Sequence, residues 1–284
     1  MVRPDCRALR WRKGYYRDEE RDFRTMTKII AVANQKGGVG KTTTAINLAA
    51  SLAVAEMRTL LVDIDPQANC TSGMGVNKNA LEADIYDVVI GGAGLEEVIL
   101  PTEMKYLDLV PASRDLFGAE VELVNMAGRE ERLRRAVANV NGSYSHVIID
   151  CPPSLGILTL NALTAASSVL IPIQCEYYAL EGLSQLMSTI KLVSLRLNPG
   201  LAVEGILMTM FDTRLNLSHQ VVEEARKYFP EQVYRTVIPR NVRLSEAPSF
   251  GKPIVLYDAV SSGARTYLQL AQELIENEQK KKVG

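Results

Sequence analysis

One segment constrains this chain more than any other: a short apolar strand that runs into a glycine-rich turn and then into a helix-forming stretch. Apolar residues from Ile29 to Ala33 lead into the turn QKGGVGK at positions 35–41, and an alanine-rich stretch follows. This order of strand, turn and helix is the context in which a phosphate-binding loop operates. Glycines let the backbone curl so that its N–H groups face an anion, and the helix adds its N-terminal dipole. The segment therefore predicts a site for the phosphates of a nucleotide.

The residues of this turn have separate predicted roles. Gly37, Gly38 and Gly40 supply the backbone freedom, while Lys41 brings a cation to the β- and γ-phosphates. The Thr42 hydroxyl is suited to ligate Mg²⁺, so ATP and Mg²⁺ are the expected cofactors. Together the predicted nucleotide-binding residues of the loop are Lys36, Gly37, Gly38, Val39, Gly40, Lys41, Thr42 and Thr43.

A second lysine lies at the outer edge of the turn. The usual first glycine of a phosphate loop would fall at Gln35, and Lys36 follows that position. Lys41 already serves the bound phosphates, so a second lysine that points outward could serve phosphates held by another subunit.

Three carboxylates follow two other apolar strands. Asp63 and Asp65 end the run LLVDID, and alternation along a strand places them on the same face. One of them can orient the attacking water in phosphoryl transfer, although an acid at a strand end can also cap the following turn. Asp150 ends the run HVIID, where an acid is costly unless it is paired or close to a metal. We therefore expect Asp150 to act on the Mg²⁺ side of the site, directly or through water.

Short apolar runs alternate with amphipathic stretches along most of the chain. The predicted strands are Ile29–Ala33, Thr59–Ile64, Tyr106–Val110, His146–Asp150, Ser168–Ile173, Val203–Met210 and Val233–Ile238. The predicted helices include Thr42–Ala55, Glu130–Val140, Leu180–Leu195, Ser218–Tyr228 and Ala264–Glu276. Such alternation requires right-handed crossovers and a mainly parallel sheet. The expected fold is α/β, a doubly wound, mostly parallel sheet with helices on both faces, forming one P-loop NTPase domain over residues 27–284.

Residues 1–26 are polar and charged and show neither helical nor strand periodicity. Residues 1–27 hold eight Arg or Lys and five Asp or Glu, which is an excess of three positive charges (8 − 5) in a chain of net charge −1. We expect a disordered tail, or a non-native extension upstream of a natural start at Met26. The alternative is a basic arm that contacts nucleic acid or lipid.

Cysteine usage and hydropathy favour a protein of the cytoplasm. The four cysteines, Cys6, Cys70, Cys151 and Cys175, are far apart and form no C-x-x-C pair. Zinc, iron–sulfur and thiol-redox sites are therefore weakly supported, and small buried side chains in a reducing compartment are expected. No apolar stretch reaches the length of a membrane span, and the N-terminus has no apolar signal segment.

Taken together, the motifs resemble those of a known family. The runs KGGVGKTT at 36–43, DIDPQ at 63–67 and DCPPS at 150–154 resemble the deviant-Walker-A ATPases. Two later runs, LMTMFDTR at 207–214 and IPRNVRLSEAPS at 238–249, favour the ParA/Soj branch, whose members partition chromosomes and plasmids. The resemblance extends from about residue 28 to residue 277.

The resemblance implies an ATPase of slow intrinsic turnover that works as an ATP-sandwich homodimer. Lys36 would cross the dimer to the partner's phosphates, and Gly37 would lie at the dimer face. Asp65 would support hydrolysis, while Pro239 and Asn241 would hold the adenine. The predicted catalytic residues are thus Lys36, Lys41 and Asp65, and the predicted metal ligands are Thr42, which the resemblance also supports, and Asp150, which its strand-end position indicates.

The resemblance also implies partners. The ATP dimer would bind double-stranded DNA without sequence preference, and a ParB/Spo0J-like centromere-binding protein would stimulate turnover, so a cytoplasmic, nucleoid-associated location is expected. Non-specific DNA affinity depends on a local basic patch rather than on net charge. The candidate DNA-binding residues are Arg214, Arg226, Lys227, Arg240, Arg243, Lys252 and Arg265. The residues before Gln35 are too few for a helix-turn-helix domain, which favours the small Soj-like type.

Other functions remain open at this point. A MinD-like, membrane-cycling ATPase needs an amphipathic segment after the last core helix, but residues 277–284 are almost wholly polar, so no stable membrane association is expected. An iron-protein-type reductase would need cysteines in glycine-rich loops, a setting that Cys70 and Cys151 lack. A nucleotide-sensing scaffold without hydrolysis is disfavoured by Asp65 and Asp150. Metabolic P-loop enzymes that phosphorylate or ligate small molecules also remain possible.

Overall fold

A seven-stranded sheet forms the centre of the computed structural model, which describes residues 27–176 and 179–283. The strands are β1 (Lys28–Val32), β2 (Thr59–Asp63), β3 (Leu100–Pro101), β4 (Leu107–Val110), β5 (His146–Asp150), β6 (Ser168–Gln174) and β7 (Ala202–Thr209). They lie in the order β3-β4-β2-β5-β1-β6-β7, and all pairs are parallel except β3 with β4. The mostly parallel sheet expected from the sequence is therefore confirmed.

Helices cover both faces of this sheet. They are α1 (Lys41–Val54), α2 (Asn69–Gly73), α3 (Ile85–Ile90), α4 (Leu116–Glu122), α5 (Arg132–Ala138), α6 (Ile157–Ala165), α7 (Ala179–Arg196), α8 (Asn216–Tyr228), α9 (Val242–Glu246), α10 (Ile254–Tyr257) and α11 (Ser262–Val283). Ala31 of β1 packs in one apolar layer with residues of α6 and α7, whereas Ile30 and Val32 pack in the other with residues of α1 and α11. Successive strand residues thus serve opposite cores, as a doubly wound sheet requires.

The register of the central strands brings their carboxyl ends to one edge. Val32 of β1 is paired with Asp150 of β5, and Asp150 is paired in turn with Asp63 of β2. In an open α/β sheet, ligands bind in the crevice outside the carboxyl ends of the strands. The glycine-rich turn follows β1 at this edge, so the loop and the acids predicted from separate motifs share one site.

The predicted strand Val233–Ile238 is wrong. This segment runs beside β7 and forms only an isolated bridge at Val233, while the amide of Ile238 also donates to β7. Between these points the amides of Arg235 and Thr236 donate instead to the carboxylate of Glu273 on α11, over 2.8 and 2.9 Å. The Glu273 side chain thus takes the amides that a strand would offer to its neighbour. Because Glu273 is distant in sequence, the local hydrophobic pattern could not reveal this contact.

This carboxylate gives a stability prediction. Glu273 is 6% exposed and also accepts from the Thr236 hydroxyl at 2.7 Å. Glu273→Ala should lower the free energy of unfolding by about 1–3 kcal/mol, because two partly buried amides lose their acceptor. Glu276→Ala, which removes a half-exposed acid of the same helix, should cost less than about 0.5 kcal/mol. Urea unfolding at neutral pH compares the two, and equal losses would contradict the assigned role.

The same carboxylate should make stability depend on pH. Burial alone would raise the pKa of Glu273, but hydrogen bonds from Thr236 and from two backbone amides outweigh it and hold the pKa below its usual value. The pKa of Glu273 is lower in the folded protein than in the unfolded chain. Its carboxylate therefore contributes fully to the free energy of unfolding above the unfolded pKa, and this contribution is lost as the pH falls through the folded pKa. The difference between parent and Glu273→Ala should therefore shrink in acid.

Helix α11 continues beyond the predicted end at Glu276, because its polar residues contact side chains near the amino ends of two strands. Glu278 lies 3.3 Å from the Nε2 atom of His146 at the start of β5. Lys281 lies 3.7 Å from the buried carboxylate of Glu204 in β7. The polar segment is thus attached to the edge of the sheet that is opposite the phosphate loop.

Candidate nucleotide-binding site

In the turn between β1 and α1, side chains leave the backbone uncovered. Gly38 and Gly40 have φ angles of 75° and 90°, which side-chain-bearing residues rarely adopt. Gly40 is also the N-cap of α1, and no side chain caps the first amides of this helix. A Cβ atom added at Gly37 or Gly38 would meet no atom within 4 Å. Free amides and open space together suit a bound anion.

Lys41 reaches back over this turn. It is 6% exposed, and its Nζ atom donates to the carbonyl oxygen of Lys36 at 2.9 Å. Burial lowers the pKa of Lys41, and the nearby carboxylate of Asp150 opposes that effect. The predicted phosphate lysine therefore lies inside the loop, held by a backbone acceptor that a phosphate can replace.

Lys36 points outward, as its place in the turn predicts. Its Nζ atom lies 2.7 Å from the Oε2 atom of Glu176, and both side chains are 46% exposed. Its amide donates to the Asn34 side chain at 3.0 Å. Glu176 follows β6, the strand next to β1, and nothing in the local sequence predicts its contact with Lys36.

Two polar side chains that sequence reasoning missed fix the loop to the sheet. Asn34 donates to the carbonyl of Pro172 in β6 at 2.7 Å. Thr209, the last residue of β7, donates to the carbonyl of Val39 at 2.9 Å. The one available signal was their chemistry, since each is a polar residue at the end of an apolar strand.

Asp150 lies fully buried at the end of β5, beside Thr42 of α1. Neither oxygen of its carboxylate has a hydrogen-bond partner among the described residues, and the Thr42 hydroxyl lies near without meeting hydrogen-bond geometry. Burial raises the pKa of Asp150 well above its usual range, and Asp63 adds to the rise while Lys41 opposes it. A buried acid without partners is costly unless a cation reaches it. The oxygens of Asp150 and Thr42 therefore fit a Mg²⁺ ion, which prefers such ligands and keeps several waters.

The two acids after β2 have different surroundings. Asp63 accepts from the amide of Asp65 at 3.1 Å and from the amide and hydroxyl of Thr71 at 2.8 and 2.7 Å. Burial raises the pKa of Asp63 to about 6 in spite of these bonds. The Asp65 carboxylate accepts only from Gln67 within the described part of the chain, over 2.9 Å. Asp63 thus holds the turn together, whereas Asp65 keeps capacity for a ligand.

A cleft of about 290 Å³ opens beside the loop, at the end of β7. It is lined by Gly40, Thr43, Thr209, Met210, Ile238, Pro239, Arg240, Asn241, Leu244, Ser245 and Tyr267. Pro239 and Asn241, the predicted adenine-holding residues, therefore lie next to the phosphate loop. Asn241 caps α9 by accepting from the Arg243 amide at 2.8 Å and donates to Ser262 at 2.6 Å, which fixes its position.

The seven candidate DNA-binding cations are all exposed, but their surroundings differ. Arg214 is paired with Asp212 at 2.6 Å, and Arg243 is paired with Glu246 at 2.9 Å. Arg226 donates to a backbone carbonyl, and Arg240 lines the nucleotide cleft. The remaining three make no ion pair with any described residue; they are Lys227, Lys252 and Arg265.

The three cysteines of the described region are buried and form no disulfide. Burial raises the pKa of Cys70 and Cys151 well above their usual range and that of Cys175 to about 12. Cys6 lies outside the described residues, as does the predicted N-terminal tail. Residues 27–176 and 179–283 contain no cluster of three or more His, Cys, Asp or Glu suited to a metal. None of the helices in these ranges has the length and apolar character needed to cross a bilayer.

A glycine-rich loop between β1 and α1, with a buried lysine behind it and acids at the ends of two nearby strands, defines a P-loop NTPase. A family model described as an AAA domain matches residues 27–203 of this chain. Relatives of high identity narrow the class further, and the chain belongs to the ParA/Soj family of partitioning ATPases.

Three comparisons show the extent of the similarity. The chain is 61% identical over 259 residues to the chromosome partitioning protein ParA of Myxococcus xanthus, covering 91% of this chain and 92% of that one. It is 59% identical over 252 residues to the sporulation initiation inhibitor protein Soj of Bacillus subtilis, covering 89% and 100%. A crystal structure of cobyrinic acid a,c-diamide synthase from Mycobacterium smegmatis, with bound ADP and magnesium, superposes with a TM-score of 0.79 at 39% identity, covering 89% and 96%. The identity is thus higher to partitioning proteins than to this metabolic enzyme.

Proposed function

We propose that this chain is a DNA-partitioning ATPase that hydrolyses ATP to ADP and phosphate with Mg²⁺. It forms an ATP-sandwich dimer, binds double-stranded DNA without sequence preference, and turns over faster when a ParB-type partner binds. One observation carries the proposal: the loop has two lysines with opposite orientations. Lys41 is buried behind the turn, whereas Lys36 is exposed at its outer edge.

The side of the loop on which Lys41 lies is proposed to bind the nucleotide and the metal ion. Lys41 exchanges its bond to the Lys36 carbonyl for the β- and γ-phosphates, which the free amides of α1 also contact. Thr42 and Asp150 hold Mg²⁺, which supplies charge neutralisation on the phosphates. The cleft with Pro239 and Asn241 takes the adenine. The homologous M. smegmatis synthase has ADP and magnesium bound in its crystal structure, which supports the same cofactors for this chain.

The water-orienting role is assigned to Asp65. Asp63 already accepts three hydrogen bonds inside the turn, so it has little capacity left for a substrate. Asp65 has a single protein donor and lies two residues beyond the end of β2, at the edge of the sheet where the loop lies. A positioned carboxylate is the group that phosphoryl transfer to water needs.

The exposed face of the loop is proposed to contact a second subunit, and exposed basic residues elsewhere are proposed to contact DNA. Gly37 and Gly38 are exposed and leave room in front of the loop, where a second copy can approach closely. Lys227, Lys252 and Arg265 are free to meet phosphates, and two subunits would present twice that number. We also propose that residues 27–284 form a single ATPase domain, and that DNA binding keeps the protein at the nucleoid.

Asp65→Ala tests this proposal. Without the acid, hydrolysis should fall by about 100-fold or more while the phosphate contacts persist. The variant should therefore accumulate as an ATP-bound dimer that stays on DNA longer than the parent. Phosphate release and size-exclusion chromatography with light scattering, both in Mg²⁺ and ATP, measure the two effects.

Asp115→Ala, which removes an exposed acid just before α4, serves as the control and should behave like the parent. An Asp65→Ala protein that binds ATP yet stays monomeric would count against the sandwich dimer. Parent-like hydrolysis by that variant would remove Asp65 from the mechanism.

A further inference from the structure

The outward lysine of the phosphate loop is already engaged within its own subunit. Lys36 and Glu176 lie on turns that follow adjacent strands, β1 and β6, and their charged atoms are 2.7 Å apart. The contact joins positions 140 residues apart in sequence. It is the single ion pair that any lysine of the phosphate loop makes with a described residue.

The backbone of Lys36 is restrained at the same time. Its amide donates to the side chain of Asn34, which is anchored on β6, and its carbonyl accepts from Lys41. Residue 36 is thus held at its amide, its carbonyl and its ammonium group, all by groups of the same chain. A lysine that is to reach another subunit's nucleotide must first give up or share Glu176.

We propose that Glu176 acts as a cis latch on Lys36 that restrains dimerisation until ATP is bound. This inference rests on the proposed sandwich dimer. The partner's ATP carries several negative charges and can draw Lys36 from one carboxylate, whereas ADP, which lacks the γ-phosphate, competes less well. Binding of ATP in the same subunit also removes Lys41 from the Lys36 carbonyl, which frees the backbone beside the latch. Glu176 is therefore a positioning residue: its hold on Lys36 weakens every dimer equally, so the more weakly driven ADP dimer does not form at concentrations where the ATP dimer does.

The exposure of Lys36 and Glu176 sets how strongly their ion pair can affect the affinity of the dimer. An ion pair between half-exposed groups shifts an equilibrium by up to about fivefold. A sandwich dimer opens two latches, one in each subunit, so the effects multiply. Removing the latch should strengthen the dimer by up to roughly 30-fold, which a concentration series can resolve.

Glu176→Gln is the test, because glutamine keeps the shape and removes the charge. Sedimentation velocity of the full chain, without DNA, in Mg²⁺ with AMPPNP or with ADP gives the dimer dissociation constants. We expect the variant to dimerise roughly 5- to 30-fold more tightly than the parent with AMPPNP. It should also form some dimer with ADP at concentrations where the parent is monomeric. The gain should shrink in 1 M NaCl, where the Debye length is about 3 Å.

Two control variants separate the latch from general charge effects. Glu224→Gln changes the net charge equally at an exposed position of α8 and should leave the dimer constant unchanged. Lys36→Gln alone should be monomeric, and adding Glu176→Gln to it should not restore a dimer, since there is no lysine to release. A parent that dimerises with AMPPNP beside a Glu176→Gln variant of equal or weaker affinity would overturn the latch and leave the proposed function intact. Monomers in both proteins would overturn the sandwich dimer together with the latch.

Discussion

Lys41→Ala is expected to abolish ATP hydrolysis. Lys41 lies behind the phosphate loop, and its ammonium group is held over the turn by the Lys36 carbonyl. Its removal takes away the positive charge that offsets the transferring phosphate, and loss of such a group costs about 100-fold or more in turnover. Nucleotide affinity should fall by about 10- to 150-fold, the range for a lost charge-assisted hydrogen bond.

Isothermal titration with a non-hydrolysable ATP analogue and a phosphate-release assay measure the two effects separately. Lys191→Ala, an exposed lysine of α7, is the matched control and should retain parent values. Because Lys41 is buried, thermal unfolding of the variant must also be compared with the parent. A folded Lys41→Ala protein that hydrolyses ATP at the parent rate would refute the assignment of the loop.

The parts of the site that the sequence could predict are those built by local geometry. The turn at positions 35–41 is specified by its own glycines, and two of them have the positive φ angles that only glycine adopts readily. Asp63 and Asp150 could be located because both end apolar strands, and parallel strands end at one edge of the sheet. Here a short run of residues determines both the conformation and the chemistry.

The parts that could not be predicted depend on contacts between distant residues. Thr209 donates a hydrogen bond to Val39 of the loop, 170 positions away in sequence. Glu273 of α11 accepts from the amides of residues 235–236, which would otherwise pair with a neighbouring strand. The continuation of α11 likewise depends on His146 and Glu204, which lie on the sheet. Hydrophobic periodicity carries no information about such polar partners, so it misplaces one strand and shortens one helix.

Strand geometry alone left the roles of Asp63 and Asp65 open, whereas the family resemblance implies that Asp65 supports hydrolysis. Alternation placed Asp63 and Asp65 on one face and did not separate their roles. The hydrogen bonds do separate them, because Asp63 is taken up by Thr71 and by the amide of Asp65. The turn that follows β2 thus gives a physical reason, separate from the family resemblance, for the role proposed for Asp65.

Lys36→Gln should separate ATP binding from dimerisation and DNA binding. Lys41 and the amides of the loop remain, so the variant should keep most of its ATP affinity. It lacks the charge that we propose contacts the partner's phosphates, and it should therefore stay monomeric in ATP. If Lys227, Lys252 and Arg265 all contact DNA phosphates, a monomer neutralises about three and a dimer about six. The slope of log affinity against log salt would then be about −3 for the variant and about −5 for the parent.

Gly37→Val should give the same result for a different physical reason. A Cβ atom at Gly37 meets nothing within 4 Å, and this glycine does not have the positive φ of Gly38 and Gly40, so the monomer should fold normally. The branched side chain would project from the exposed side of the loop and obstruct the close approach of a second subunit. Gel shift on random-sequence duplex at low salt with ATP measures DNA affinity, which should fall at least tenfold in both variants. If Lys36→Gln binds DNA as tightly as the parent, the DNA surface does not depend on the sandwich dimer, and the central mechanism must be abandoned.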